Sequence, residues 1–87
     1  QAFGLAQNYP NPFNPSTTIK FDLPVKELVN IKIFDVMGRE VITLHEGLLS
    51  AGSYETSWDA SKVTSGTYFF RIAAGDFIET KIMMLIK

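Results

Sequence analysis

The residues able to do chemistry are few and poorly placed for it. His45 is the only histidine and the chain contains no cysteine, which excludes a Cys–His nucleophile pair and a multi-histidine metal site. Asp59, Asp76 and Glu79 could gather around a calcium ion, but their spacing matches no calcium-binding loop. We therefore predict a protein that is not an enzyme and that needs no metal or cofactor.

Three aromatic residues could instead form a platform for sugar rings: Tyr9, Trp58 and Tyr68. Each follows a polar residue in a stretch that alternates polar and aromatic positions, a pattern that favours burial in a core over exposure as a platform. A carbohydrate-binding module of a secreted hydrolase stays open as an alternative function. That alternative requires Trp58 or Tyr68 to be exposed on one face.

Composition limits both size and partners. The chain has 87 residues, of which 46% are hydrophobic, and a net charge of −1 with the two signs interleaved. This predicts one small folded domain and provides no basic stripe for nucleic acid. The apolar run 82–86 is far shorter than the roughly 20 residues of a membrane span, so we expect no membrane insertion. An export signal, if there is one, is expected upstream in a longer parent protein.

The side chains named above must be positioned by β-strands, because apolar residues recur at every second position in several stretches of the chain. Ile19, Phe21 and Leu23 alternate with polar residues, and similar alternation recurs about every ten residues. Gly38 supplies the positive φ of a tight hairpin turn. The pattern predicts an all-β, immunoglobulin-like antiparallel sandwich of six to seven short strands over residues 16–87. The predicted strands cover residues 19–23, 29–33, 41–45, 54–58, 67–74 and 77–86, with a connection over 46–52 and a polar loop over 59–66.

Residues 1–15 form a different kind of segment. Three prolines within residues 10–15 hold their neighbours in extended conformations and prevent a helix. We predict a stiff lead-in packed on the domain, with Tyr9 and Phe13 anchored against the core.

Two predicted strands, 67–74 and 77–86, carry apolar residues on both faces, although one face of an antiparallel sandwich is normally wet. We expect the lead-in to cover the surplus, or else a partner protein to bind it. The surface expected to reach a partner carries Phe69, Met83 and Leu85.

Four stretches, in order, resemble a known family. They are Tyr9-Pro10-Asn11-Pro12-Phe13-Asn14-Pro15-Ser16-Thr17-Thr18-Ile19, Phe34-Asp35-Val36-Met37-Gly38-Arg39-Glu40-Val41, Ser65-Gly66-Thr67-Tyr68-Phe69-Phe70-Arg71-Ile72 and Lys81-Ile82-Met83-Met84-Leu85-Ile86-Lys87. Over residues 5–87 the chain resembles the type A C-terminal sorting domain of the type IX (Por) secretion system. One departure is the loop after Trp58-Asp59, which is shorter than the Gly-rich loop of many members.

The resemblance implies a non-catalytic signal carried by a larger exported protein of a Gram-negative bacterium. Such a protein crosses the periplasm, and its sorting domain directs it through the type IX outer-membrane translocon to the cell surface or beyond. The implied partners are translocon and shuttle proteins, an upstream cargo domain, and a surface sortase that removes the signal. The rival interpretation is a structural immunoglobulin-like spacer, such as a stalk or a domain like those of flagellar hook-cap proteins.

Carried onto this chain, the family motifs single out specific residues. We predict translocon contacts at Lys81, Met83, Leu85, Ile86 and Lys87, and motif or structural roles at Tyr9, Pro10, Asn11, Pro12, Gly38, Gly66, Tyr68 and Arg71.

The last strand could be recognised by β-augmentation, in which a partner strand pairs with a free sheet edge. Lys81 and Lys87 would then share one face and guide the strand to an acidic receptor, although Lys81 could equally be a solvated edge charge. Arg71 is expected to face outward and to stack on a ring or pair with a carboxylate. Asp59 is expected to accept backbone hydrogen bonds in its loop.

Overall fold

Seven β-strands contain most of residues 2–87, which are the residues that this computed structural model describes. The strands are β1 (Gly4–Leu5), β2 (Ser16–Leu23), β3 (Glu27–Phe34), β4 (Glu40–Leu49), β5 (Gly52–Asp59), β6 (Gly66–Ala74) and β7 (Phe77–Leu85). They form a three-stranded sheet in the order β1-β2-β5 and a four-stranded sheet in the order β4-β3-β6-β7, and every pairing between these strands is antiparallel. The predicted all-β, immunoglobulin-like sandwich is confirmed. Within residues 2–87 there is no helix long and apolar enough to cross a bilayer.

The core lies between the two sheets and follows from the alternation of residue types. In β2, Ile19, Phe21 and Leu23 point inward and are buried, whereas Lys20 and Asp22 between them are exposed. Burial of the apolar set removes its surface from water, which is the main favourable contribution to folding. The other large buried apolar residues are Leu5, Phe13, Val29, Ile31, Ile33, Trp58, Tyr68, Phe70, Ile72, Met83 and Leu85.

The turn between β3 and β4 is held by one carboxylate. The backbone N–H groups of Met37 and Arg39 donate to Asp35 Oδ1 over 2.9 and 3.0 Å, and Gly38 adopts the predicted positive φ of 81°. The Arg39 N–H, together with weaker contributions from Met37 and the Arg39 guanidinium, lowers the pKa of Asp35 below its ordinary value. The charged form of Asp35 therefore stabilises the turn.

The β4 strand is longer than its sequence pattern indicates. It continues to Leu49, and only residues 50–51 separate it from β5. The predicted connection over 46–52 is wrong because Glu46 and Gly47 interrupt the apolar alternation, yet both pair in register with β3. The sequence pattern also does not predict strand β1, because two residues are too few to show an alternation of apolar and polar side chains.

The lead-in runs along one side of the sandwich and leaves Ile78, Ile82 and Met84 exposed, so the expectation that it covers the surplus apolar residues is wrong. Its first part pairs with β2, through Gly4 opposite Asp22 and the isolated bridge from Tyr9 to Thr18. Its second part crosses to the other sheet, where Phe13 bridges to Leu85. The segment thus joins the free edge of β2 to the free edge of β7. Residue 1 of the predicted segment 1–15 lies outside the described residues, and the division at residue 15 stays a prediction.

The two predicted anchors of the lead-in differ in burial. Phe13 is only 2% exposed and its ring centroid lies 5.8 Å from that of Trp58, as predicted. Tyr9 is 81% exposed, so its predicted burial is wrong. The side chains of Tyr9 and Phe13 differ because the chain changes sheets between them, and no local pattern signals that crossing.

Candidate functional site

The outer face of the four-stranded sheet carries an uncovered apolar patch. Strand register places Phe34, Phe69 and Ile82 side by side across β3, β6 and β7, and Met84 follows Ile82 on the same face of β7. Ile82 is 56% exposed and Met84 is also exposed, while both phenylalanines are half-buried. We call Phe34, Phe69, Ile82 and Met84 the apolar patch.

Two basic residues border this patch in the next row of the sheet. Lys32, Arg71 and Thr80 lie opposite one another there, and the guanidinium carbon of Arg71 is 4.7 Å from the centroid of the Phe34 ring. This contact fits a cation–π interaction and confirms the predicted stacking of Arg71. Together the two rows line a shallow groove of about 270 Å³, formed by Phe34, Gly38, Phe69, Arg71 and Thr80.

The other charged residues of this region already have partners. Lys32 Nζ lies 3.3 Å from Glu40 Oε1, and Thr43 Oγ1 donates to Glu40 Oε2 over 2.8 Å. These contacts, first the Thr43 hydroxyl and then Lys32, lower the pKa of Glu40. Arg71 forms no salt bridge within residues 2–87, and its buried Nε has no hydrogen-bond partner there. Arg71 is the cation that this face leaves unpaired among the described residues.

The opposite outer face, on the three-stranded sheet, is polar. Ser53 Oγ donates to Asp22 Oδ1 over 2.7 Å, and the hydroxyls of Thr18 and Ser57 lie 3.3 Å apart. This is the ordinary solvated face of an antiparallel sandwich. Its contrast with the apolar patch distinguishes the four-stranded sheet as the surface suited to a partner.

The terminal strand divides its side chains between core and solvent. Met83 and Leu85 are 0% and 1% exposed, whereas Ile86, just past the strand, is exposed. Tyr68 lies opposite Met83, so both point inward, and Phe69 lies opposite Ile82 on the outer face. The prediction that Phe69, Met83 and Leu85 share an exposed face is therefore wrong. Translocon contacts by Met83 and Leu85 stay a prediction, and they require β7 to leave the sheet.

The two terminal lysines are held by different groups. Lys81 Nζ lies 3.1 Å from Glu79 Oε2, and its side chain points to the same side of β7 as Met83. Lys87 Nζ donates to the backbone carbonyls of Ser61, over 2.8 Å, and of Val63. Their joint role in guiding an acidic receptor stays a prediction.

The free edge of β7 is largely occupied by the lead-in. Phe13 N–H donates to the Met84 carbonyl over 2.9 Å, and Ile86 N–H donates to the Phe13 carbonyl over 3.0 Å. Met84 N–H donates to Asn11 Oδ1 and Gln7 Nε2 donates to the Ile82 carbonyl. An added strand could therefore pair with residues 82–86 only if the lead-in moved away. The expected open edge is wrong for this part of β7.

The residues of the lead-in thus contribute hydrogen bonds from their backbone and from their side-chain amides. Asn8 Nδ2 donates to Thr17 Oγ1 over 3.0 Å, and Thr17 Oγ1 donates to the Pro10 carbonyl over 2.8 Å. Asn8 and Thr17 are both buried polar residues, and hydrogen bonding offsets the cost of removing them from water. Sequence reasoning did not single them out, because their burial depends on the chain crossing between the sheets.

The remaining motif residues have structural positions. Tyr68 is buried, lies edge-on to Trp58 at 5.4 Å, and donates its hydroxyl to the Thr64 carbonyl over 2.6 Å. Because Trp58 and Tyr68 are both buried, neither can be the exposed platform that a carbohydrate-binding module requires. Gly66 adopts a φ of 151°, in line with its predicted backbone role, and Asp59 accepts the Ser61 N–H as predicted.

The site offers a partner apolar contact and one cation, Arg71, that forms no salt bridge among the described residues. Within residues 2–87 no group of three His, Asp or Glu side chains converges where a metal ion could be held. Sequence reasoning missed Phe34, Thr80 and Ile82, because their grouping depends on register across three strands. The sequence signal that pointed to this surface was the presence of apolar residues on both faces of the last two strands.

A protein-family model matches most of the chain. The family model described as "Secretion system C-terminal sorting domain" matches residues 7–87, which is nearly the whole chain and includes β2 to β7 and most of the lead-in. A search of curated proteins finds no match.

Proposed function

The chain belongs to the family of secretion-system C-terminal sorting domains, and we propose that it directs a larger exported protein through the type IX outer-membrane translocon to the cell surface. Membership of the family supports a role as a sorting signal that acts with the secretion machinery. The finer steps are part of the proposal: a Gram-negative host, passage from periplasm to surface, and removal of the signal by a surface sortase. The domain itself supplies binding, and no catalytic step is assigned to it.

The observation that carries the proposal is the apolar patch on the outer face of the four-stranded sheet. The patch is exposed although the lead-in is long enough to contact both sheets. Aromatic, methionine and arginine side chains at the centre of a surface are typical of protein–protein interfaces. We infer that a component of the secretion machinery binds the patch while the domain stays folded.

An export assay tests this function. The chain is fused to the C-terminus of a periplasmic reporter, and reporter at the surface is measured in a bacterium that has the type IX apparatus. Deleting 82–87 is a poor test, because it also removes the core side chains of Met83 and Leu85 and would unfold the domain.

Point substitutions in one strand separate recognition from folding. Ile82→Thr and Ile78→Thr make the same change at positions that are 56% and 64% exposed on the same face of β7. Ile82 lies opposite Phe69 in the apolar patch, whereas Ile78 lies opposite Ala73. We expect Ile82→Thr to weaken binding by about 1–2 kcal/mol, roughly 5- to 30-fold, and Ile78→Thr to retain export.

Thermal unfolding of both variants controls for stability. Equal export of the Ile82→Thr and Ile78→Thr fusions would refute recognition through the apolar patch. If the unmodified fusion is not exported at all, the sorting function itself is wrong and the structural-spacer interpretation takes its place.

A further inference from the structure

We propose that Arg71, stacked on Phe34, is the anchor for a single carboxylate on the partner protein, an Asp or Glu set within an otherwise apolar surface. The proposal rests on the sorting function given above, because it specifies the chemistry of the partner that reads the apolar patch.

The position of Arg71 supports an anchoring role. Its guanidinium packs on the Phe34 ring, and its neighbours in the sheet are Lys32 and Thr80. The ring restricts the rotamers of the side chain, so less conformational entropy is lost when a partner binds. Because Nε is buried, a carboxylate would reach the planar guanidinium through parallel N–H donors on its two terminal nitrogens, a geometry that fits one carboxylate.

The electrostatics leave Arg71 in need of an acceptor. Glu40 attracts Arg71 at longer range, which contributes to the lowered pKa of Glu40, but the direct contacts of Glu40 are with Lys32 and Thr43. Arg71 Nε is sealed from solvent without a partner among residues 2–87. A cation that has lost part of its hydration gains more from an incoming carboxylate than a fully solvated cation does.

The chain contains a matched comparison, because Arg39 and Arg71 are its only arginines. Arg39 is largely exposed, and its Nε donates to Asp35 Oδ2 over 3.0 Å. Arg39 thus already has the carboxylate partner that Arg71 lacks. We expect an added carboxylate to bind at Arg71 and not at Arg39.

The surroundings of Arg71 favour a protein carboxylate over a phosphate or a second copy of the chain. One cation beside two phenylalanines suits one anionic side chain within an apolar surface, whereas phosphate sites commonly gather several donors and cations. The exposed residues of the apolar patch are themselves uncharged. A second copy packing patch to patch would place two Arg71 cations near each other, and the Glu40 carboxylate that borders the patch already contacts Lys32.

A small-molecule titration tests the site without the secretion machinery. The ¹⁵N-labelled chain is titrated with benzoate, which carries a ring and a carboxylate, and with benzamide, its neutral analogue. The Arg71 Nε–H resonance should shift saturably with benzoate and not with benzamide, while the Arg39 Nε–H resonance stays unchanged. Arg71→Lys keeps the charge but lacks the two-donor geometry, and its backbone amides near Phe34 should respond to benzoate at least several-fold more weakly.

Each other result of the titration overturns the proposal. No shift at Arg71, or equal shifts with benzoate and benzamide, removes the carboxylate site. If phenylphosphonate, titrated in the same way, binds more strongly than benzoate, the site is assigned to phosphate. Resonances of the apolar patch that shift with protein concentration alone assign it to a second copy of the chain.

The export assay then connects the site to sorting. We expect Arg71→Gln to reduce export and to weaken binding of the isolated translocon about tenfold or more, and Arg39→Gln to retain both. Normal export of Arg71→Gln, with an exported parent fusion, refutes the anchor and leaves the sorting function intact. If Arg71→Gln fails to fold, Arg71→Lys and the benzoate titration still decide the question.

Discussion

Replacing Phe13 with alanine tests whether the lead-in is part of the folded domain. The Phe13 side chain is 2% exposed and packs beside Trp58, and its backbone bonds both Met84 and Ile86. Phe13→Ala leaves the backbone hydrogen bonds chemically available but removes the ring from the core. We therefore expect a large loss of stability from a residue outside the seven strands.

The magnitude follows from burial. Truncating a fully buried phenylalanine typically costs about 3–5 kcal/mol, through lost transfer free energy and the cavity left behind. A domain of this length is expected to have a free energy of unfolding of roughly 4–13 kcal/mol. The substitution should therefore remove between a quarter of the stability and all of it.

Urea denaturation measures the effect, and the chain provides its own probe. Trp58 is the only tryptophan, is buried, and contacts the substituted side chain, so its fluorescence reports both unfolding and the local change. A loss of about 3 kcal/mol, at a slope near 1 kcal/mol per molar urea, lowers the midpoint by about 3 M. Hydrogen exchange at the Ile86 amide, which donates to the Phe13 carbonyl, should accelerate as the end of β7 loosens.

Tyr9→Ala is the matched control, since it truncates an exposed aromatic side chain four residues earlier in the lead-in. Its expected effect is within about 0.5 kcal/mol, because the side chain is exposed and the backbone pairing with Thr18 is retained. Similar midpoints for Phe13→Ala and Tyr9→Ala would show that the lead-in does not dock, and the account of the β7 edge would fail with it.

Two further predictions concern the turn between β3 and β4. Because the pKa of Asp35 is lowered in the folded state, its charge contributes stability above the ordinary pKa of 3.8, and the contribution is lost as the pH falls through the lower folded value. Asp35→Asn should therefore be less stable than the parent at pH 7, with the two urea midpoints converging below about pH 3.8; a gap that stays constant down to pH 2 contradicts this. Gly38→Ala should cost about 1–2 kcal/mol in thermal unfolding, since apart from the adjacent residues no atom lies within 4 Å of the added methyl and only the φ of 81° opposes it. Gly38→Asn should cost less. Equal costs for alanine and asparagine would argue against backbone strain as the cause.

Features that depend on a few neighbouring residues could be predicted from the sequence. The alternation at Ile19, Phe21 and Leu23 predicted which side chains enter the core, because the pleat of a strand sends successive residues to opposite faces. The left-handed Gly38 and the loop contact of Asp59 follow from turn chemistry within four residues. The four family motifs are likewise short runs of neighbouring residues, and together they are enough to identify the sorting domain.

The extent of the strands was harder to predict. Glu46 and Gly47 break the alternation of β4, and their place in the strand is set by pairing with β3. Likewise, nothing near Tyr9 and Phe13 distinguishes an exposed ring from a buried one. The difference arises from where the lead-in passes between the sheets.

The sequence by itself determined the all-β class, the family, and the inward residues of a strand with clear alternation such as β2, but not which face of β7 enters the core. Only the tertiary structure decided which outward residues meet: Phe69 beside Ile82 and not Met83, Phe34 beneath Arg71, and Asn11 and Phe13 on the β7 edge. The physical reason is that alternation fixes the phase of each strand separately. Register between strands depends on hydrogen bonds and packing between residues far apart in the chain, and a shift of one residue would exchange the two faces.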